Sequence, residues 1–307
     1  MTDATAGTAS AATPPQRSSL WGDVWRQFKS HRGAVAGTGV FLFILLAVLI
    51  GPYIHTTDPG FLDIRARNEG MSFKHPMGTD NLGRDMFAQV LAGGRTSLAV
   101  GVTAMLLSLF LGTLIGVLAG YYKRLDGALM RFTDLFLALP LLPLLLVIIM
   151  LFRDTLRAAF GPETGIFLLI VFVIGITSWM QTARIVRGDV LALKEREFVL
   201  AARSVGTPSA SIITRHILPN VLSPIMVSAT LGVANAIITE SALSFLGLGF
   251  PSDFPTWGRL LYDGANFMTL NPERVFWPGL AISLTVLSVN YVGDGLRDAL
   301  DPRIRGR

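Results

Sequence analysis

The stretch SLAVGVTAMLLSLFLGTLIGVLAGYY, residues 97–122, contains no Asp, Glu, Lys or Arg. A helix rising about 1.5 Å per residue needs about 20 such residues to cross about 30 Å of hydrocarbon. The stretch therefore reads as a membrane span. Outward from it lie five more uncharged apolar blocks, at residues 34–54, 135–152, 165–183, 221–239 and 275–293. The block at 221–239 is expected to continue past Glu240 through residues 241–248. Composition agrees: 51% of the 307 residues are hydrophobic and 15% charged, with a mean hydropathy of +0.54. That balance excludes an ordinary soluble enzyme of this length. The expectation is an all-α membrane protein with six transmembrane helices.

Lys and Arg orient these spans. If the N-terminus is cytoplasmic, the inner segments hold 17 basic residues and the outer segments 9, the excess falling on the inner side. Both termini are thus expected in the cytoplasm, with the chain in a bacterial inner membrane. The net charge of +5 then reflects topology. The basic residues are spread over membrane-flanking loops instead of forming one stripe, which argues against nucleic-acid binding. The absence of cysteine excludes disulfides and thiolate metal sites.

The chain divides into a cytoplasmic N-terminal segment (1–33), a first span (34–54), an external connector (55–96), a five-helix core (97–296) and a cytoplasmic tail (297–307). The residues before Arg17 are rich in Ala, Thr, Ser and Pro and are expected to be disordered. The first apolar block starts only at Ala34 and is too long for a signal-peptide core. Residues 21–32 suit a short amphipathic helix on the inner leaflet, with Trp21, Val24, Trp25 and Phe28 on one face. Short loops are expected at 121–131 (inner, basic) and 153–164 (outer), and a longer outer loop at 246–274. Pro140 and Pro143 are expected to kink or interrupt the third span. Gly112, Gly116 and Gly120, four apart, are expected to let another helix approach closely.

One inner loop, 184–220, carries an unusual segment, EFVLAARSVGTPSASIITRHILP at 197–219. Ala201 and Ala202 keep one helix face shallow. Gly206 can end that helix in a left-handed turn. Pro208 suits the first turn of a second helix, and Pro219 closes it before the next apolar run. The expected product is a helical hairpin across the membrane face, shaped to sit in a groove on another protein.

This segment resembles the EAA loop of importer-type ABC transporter permeases, which docks onto the ATP-hydrolysing subunit. Further motifs resemble the C-type permease subunit of dipeptide, oligopeptide and nickel importers. They are GTDNLGRDMFAQVLAGGRTSL at 78–98, SALSFLGLG at 241–249 and NYVGDGLRDALDPR at 290–303, in the expected order. The resemblance implies a type I importer permease fold. It also implies four kinds of company: a homologous second permease, two ATP-binding subunits holding ATP and Mg, an extracytoplasmic substrate-binding protein, and the lipid bilayer. Carried onto this chain, the coupling positions are Glu197, Ala201, Ala202, Arg203, Gly206, His216, Leu218 and Pro219. The general consensus has Glu and Ile where this chain has Leu200 and His216; the peptide-importer branch commonly carries its Glu three residues earlier, as Glu197 does here.

Candidates for chemistry are few. None of the four lysines follows a Gly, so no phosphate-binding P-loop is present, and energy must come from another subunit or an ion gradient. His31, His55, His75 and His216 are far apart in sequence, which argues against a histidine-built metal site. Asp80 and Asp85 flank Gly83 without the twelve-residue calcium-loop pattern. They read as turn-capping residues with Arg84 as partner. Glu240 is an acid in an apolar segment; standing alone beside Ser241 and Ser244, it reads as a structural polar anchor in preference to an ion pathway. An ion-coupled carrier acting alone would need an inverted repeat or an ionisable relay, and an intramembrane enzyme a dyad or metal cluster. The sequence shows none of these. The expected function is a non-enzymatic permease subunit, without cofactor of its own, forming half of a translocation pathway for peptides or a similar small solute.

Overall fold

The computed structural model describes residues 20–300. The N-terminal stretch expected to be disordered and the end of the tail lie outside these residues. The helices run in order α1 Leu20–Ser30, α2 Arg32–Ile54, α3 Met86–Tyr121, α4 Lys123–Ala138, α5 Leu141–Phe160, α6 Pro162–Leu193, α7 Glu197–Ser204, α8 Ser209–Ile212, α9 Leu222–Phe245, α10 Trp257–Ala265 and α11 Glu273–Leu300. No strand occurs among the described residues. Five helices (α2, α3, α6, α9, α11) are long and apolar enough to cross a membrane, and α4 with α5 makes a sixth span if the bent pair counts as one.

Several expected loops are helical instead. The third apolar block straddles a break at Leu139–Pro140, where α4 and α5 meet at 88°. Pro140 causes the break: it has no N–H for the helical ladder, and its ring pushes the preceding Leu139 into extended backbone at ψ 138°. Pro143 sits in the first turn of α5, where no intrahelical donor is needed. The basic stretch 121–131 belongs mostly to α4. The outer loop at 153–164 shrinks to Gly161, at φ +86°, with Pro162 starting α6. Helix α9 ends at Phe245, short of Leu248, and the outer loop after it contains α10.

Helix α3 packs most extensively on α6, and its glycines are the reason. A Cβ on Gly112, Gly116 or Gly120 would lie 2.7 Å from Thr182, Ala183 or Val190 of α6, inside contact distance. The central core joins Val100 and Ala104 of α3, Leu145 and Ile149 of α5, Ile170 and Ile174 of α6, and Ala236 of α9. Helix α1 is not simply laid on a lipid surface. Val24 and Phe28 are buried with Ala34 of α2 and Ala299 of α11, while Trp25 stays exposed.

Arg95, within the stretch 55–96 expected to form an external connector, lies inside α3. Its Nε donates to the carbonyl of Val48 at 3.0 Å and its Nη2 to that of Leu49 at 2.8 Å. The cause is Pro52 within α2, which has no N–H to give the Val48 carbonyl four residues earlier. The guanidinium replaces that lost hydrogen bond and ties α2 to α3.

Candidate functional site

The hairpin at 197–219 has an inner and an outer surface. Helix α7 ends in a Schellman arrangement: Thr207 N donates to Ala202 O at 3.1 Å and Gly206 N to Arg203 O at 3.0 Å. Gly206 takes φ +79°, the left-handed conformation this closure requires. After Pro208, the second limb passes from α8 into a wider turn at Ile213–Ile217 and a tight one at Leu218–Asn220 that contains Pro219. Val199, Ile212, Ile217 and Val221 anchor the inner surface against Val186 and Val190 of α6 and Val117 of α3. The Phe198 ring lies 6.4 Å from that of His216, joining the two limbs, and the Arg203 guanidinium sits 6.0 Å over the Tyr121 ring at the end of α3. Glu197, Ala201, Arg203, Gly206 and Pro219 are exposed, with Ala202, His216 and Leu218 half-buried. The outer surface also exposes apolar side chains, Phe198, Leu200 and above all Val205, at 81%.

Glu240 is fully buried (0% exposed), accepting from Ser97 Oγ of α3 at 3.1 Å and from Ser244 Oγ of its own helix at 2.7 Å. The Ser97 hydroxyl also accepts from Trp257 N at 3.2 Å, so one polar knot joins α3, α9 and the start of α10. The connector forms a second knot. Asp80 accepts from the amides of Leu82 and Arg84 and from Arg84 Nε at 2.6 Å. Burial pushes the Asp80 carboxyl up, but the Arg84 amide and guanidinium outweigh it and hold the group below the usual carboxylate range. Asp85 caps α3 through Ala88 N at 2.7 Å. It also receives the Nδ1 proton of His75 at 2.7 Å and stands 3.2 Å from His55 Nε2. Two histidines remote in sequence thus converge on one carboxylate, although no group of three metal-ligating side chains forms among the described residues.

A cavity of about 490 Å³ opens between α3, the α4–α5 break, α6 and α9. Apolar side chains such as Phe136, Leu139 and Leu144 line it together with Ser178 and Gln181 of α6 and Ser228 and Asn235 of α9. Sequence reasoning missed these residues. The available signal was the presence of carboxamides within apolar blocks, Gln181 and Asn235 along with Asn290, but uncharged polar residues in a span are as easily packing as function.

The chain resembles known proteins over nearly its whole length. The family described as "Binding-protein-dependent transport system inner membrane component" matches residues 112–306, and "N-terminal TM domain of oligopeptide transport permease C" matches residues 19–75. The oligopeptide transport system permease protein OppC of Bacillus subtilis is 38% identical over 94% of this chain and 91% of its own length. The dipeptide permease protein DppC of the same organism is 39% identical over 92% of this chain and 86% of its own. The glutathione permease protein GsiD of Pectobacterium atrosepticum is 38% identical, covering 93% and 92%. Among solved structures, the inward-facing MetNI methionine ABC transporter aligns with a TM-score of 0.56 at 17% identity, covering 70% of this chain and 98% of that one, which speaks to fold alone. With the helical bundle, the span pattern and these matches in agreement, this chain belongs to the family of binding-protein-dependent transport system inner membrane components.

Proposed function

We propose that this chain is one permease of an ATP-driven importer for peptides, forms half of its translocation pathway, and couples to an ATP-binding subunit through the hairpin at 197–219. The observation that carries the coupling is the outer surface of that hairpin. Phe198, Leu200 and Val205 are exposed on the hairpin's outer surface, beside Glu197 and Arg203, and the hairpin is closed by the Gly206 turn. Apolar side chains held rigidly in water on a short helical hairpin suit a groove on a protein partner. Peptide cargo is supported by the relatives, whose names specify oligopeptide, dipeptide and glutathione transport. All three cargoes contain peptide bonds.

The remaining partners are a homologous second permease, two ATP-binding subunits carrying ATP and Mg, and an external binding protein that selects the cargo. Both termini and the hairpin lie in the cytoplasm. Closure of the ATP-binding pair moves the hairpins and rocks the two permeases between outward and inward access, a rigid-body transition between two packings. An ion-coupled carrier acting alone is not favoured, because family membership points to a multi-subunit importer. The test is purification of the complex from its native membrane. An ATP-binding subunit and a second permease should accompany this chain, the complex should hydrolyse ATP, and the chain alone should neither bind nor hydrolyse it. Hydrolysis by the isolated chain would refute the reading.

A further inference from the structure

We propose that Gln181 and Asn235 form a charge-free subsite in the cavity between α3, the α4–α5 break, α6 and α9, and that it hydrogen-bonds the peptide units of the passing cargo. The inference rests on the reading of this chain as a peptide permease and adds the residues that meet the cargo. Among the described residues, none lining the cavity is charged and none is a histidine. Some of its hydroxyls are already used: Thr177 Oγ1 donates to Val173 O at 2.8 Å and Thr239 Oγ1 to Asn235 O at 2.8 Å. The carboxamides of Gln181 and Asn235 have no hydrogen-bond partner among the described residues.

Both residues are exposed, so their unpaired carboxamides stand open to a polar group that enters the cavity. A carboxamide carries an acceptor oxygen beside a donor NH₂. A peptide unit offers the complementary N–H and C=O, so one Asn or Gln can serve it without a fixed charge. A free carboxylate or ammonium would call for an opposite charge, and a divalent cation for carboxylate, imidazole or thiolate ligands. The lining offers neither. At about 490 Å³ the space falls within the range of ligand pockets. Its neutrality means that the subsite engages main-chain amides and leaves side-chain charge unread.

The experiment places a charge where there is none. The assembled transporter, with its binding protein in excess, is reconstituted in vesicles. ATP-driven uptake is followed for two alanine-based tripeptides, one with Lys and one with Glu at the middle position. Asn235→Asp should raise the Lys-to-Glu uptake ratio, and Gln181→Arg should lower it, each by about 25-fold, because one unit charge near contact in a wet site favours one peptide about fivefold and disfavours the other about fivefold. Asn235→Leu and Gln181→Leu should slow both peptides alike. A ratio unchanged in both charged variants, while they still copurify with the ATP-binding subunit, overturns the subsite but leaves the permease reading intact. Absence of ATP-driven uptake of either peptide by the wild type refutes that reading and the subsite with it.

Should a charged variant fail to assemble, single cysteines decide the matter, because the chain has none of its own. Asn235→Cys and Gln181→Cys should react with a membrane-impermeant methanethiosulfonate and be protected by alanine tripeptide during turnover. Phe110→Cys, on a side chain 65% exposed on the outside of α3, should be inert. Lack of reaction at both cavity cysteines overturns the proposal.

Discussion

Replacing Gly206 tests the coupling reading at a site where the structure separates strain from collision. The backbone stands at φ +79°, and a Cβ built there meets no atom within 4 Å. An added Cβ therefore displaces no neighbour, and its cost is conformational. Alanine in the left-handed region costs about 1–2 kcal/mol, a β-branched residue reaches the top of a range of roughly 1–3 kcal/mol, and Asn tolerates the region better than either. A cost of about 1 to 3 kcal/mol lowers the population of the closed hairpin roughly 5- to 150-fold. The six spans insert regardless, because insertion depends on hydropathy and not on this turn. We expect membrane expression of all three variants, with ATP-driven uptake and copurification of the ATP-binding subunit falling in the order Asn, Ala, Val. Full uptake by Gly206→Val would remove the hairpin as coupling element. An Asn variant as defective as the Val variant would show that the glycine matters for contact and not for conformation.

Other predictions concern the folded spans, read by thermal unfolding in detergent unless stated. Arg95→Leu leaves the Val48 and Leu49 carbonyls without their donor and should cost about 1–3 kcal/mol. Pro52→Ala should recover part of that loss, because the new backbone N–H at this position can serve the Val48 carbonyl, so strict additivity in the double variant would refute the replacement argument. Glu240→Leu should destabilise by about 1–3 kcal/mol by stripping the buried Ser97 and Ser244 hydroxyls of their acceptor, with Glu240→Gln milder. An unchanged melting temperature together with lost transport would assign Glu240 to the pathway instead. Asp80 has a folded pKa below its unfolded value of about 3.9, so its stabilisation is complete above that value and is lost as pH falls through the folded one. The stability gap between wild type and Asp80→Asn should therefore hold at pH 7 and narrow progressively as pH falls below about 4; a gap undiminished in strong acid would deny the charged pairing with Arg84. Reporters fused at Arg307 and inserted near Asn68 should read cytoplasmic and external respectively, and an external signal at Arg307 would overturn the orientation.

The hydropathy of six apolar blocks determined the class of fold from sequence alone, because hydrocarbon demands about 20 apolar residues per span wherever they pack. Local rules also reached the Gly206 turn and the Pro140 break, since backbone conformation at Gly and Pro is set within a few residues. Helix limits were less legible. Charged stretches such as 123–131 looked like loops, yet α4 continues through them, and the Asp126 carboxylate accepts two hydrogen bonds from the Arg187 guanidinium of α6. Tertiary structure alone decided which distant groups meet. Arg95 finds the carbonyls freed by Pro52, His55 and His75 converge on Asp85, and Glu240 takes the hydroxyl of Ser97, 143 positions away. The cavity is of the same kind. Gln181 and Asn235 lie on different spans, and only the packing of α3, α6 and α9 around the α4–α5 break brings them to one space. Pattern along a chain reports solvent and local backbone preference; the meeting of remote polar groups depends on helix rotation and crossing, which packing sets once the spans are side by side.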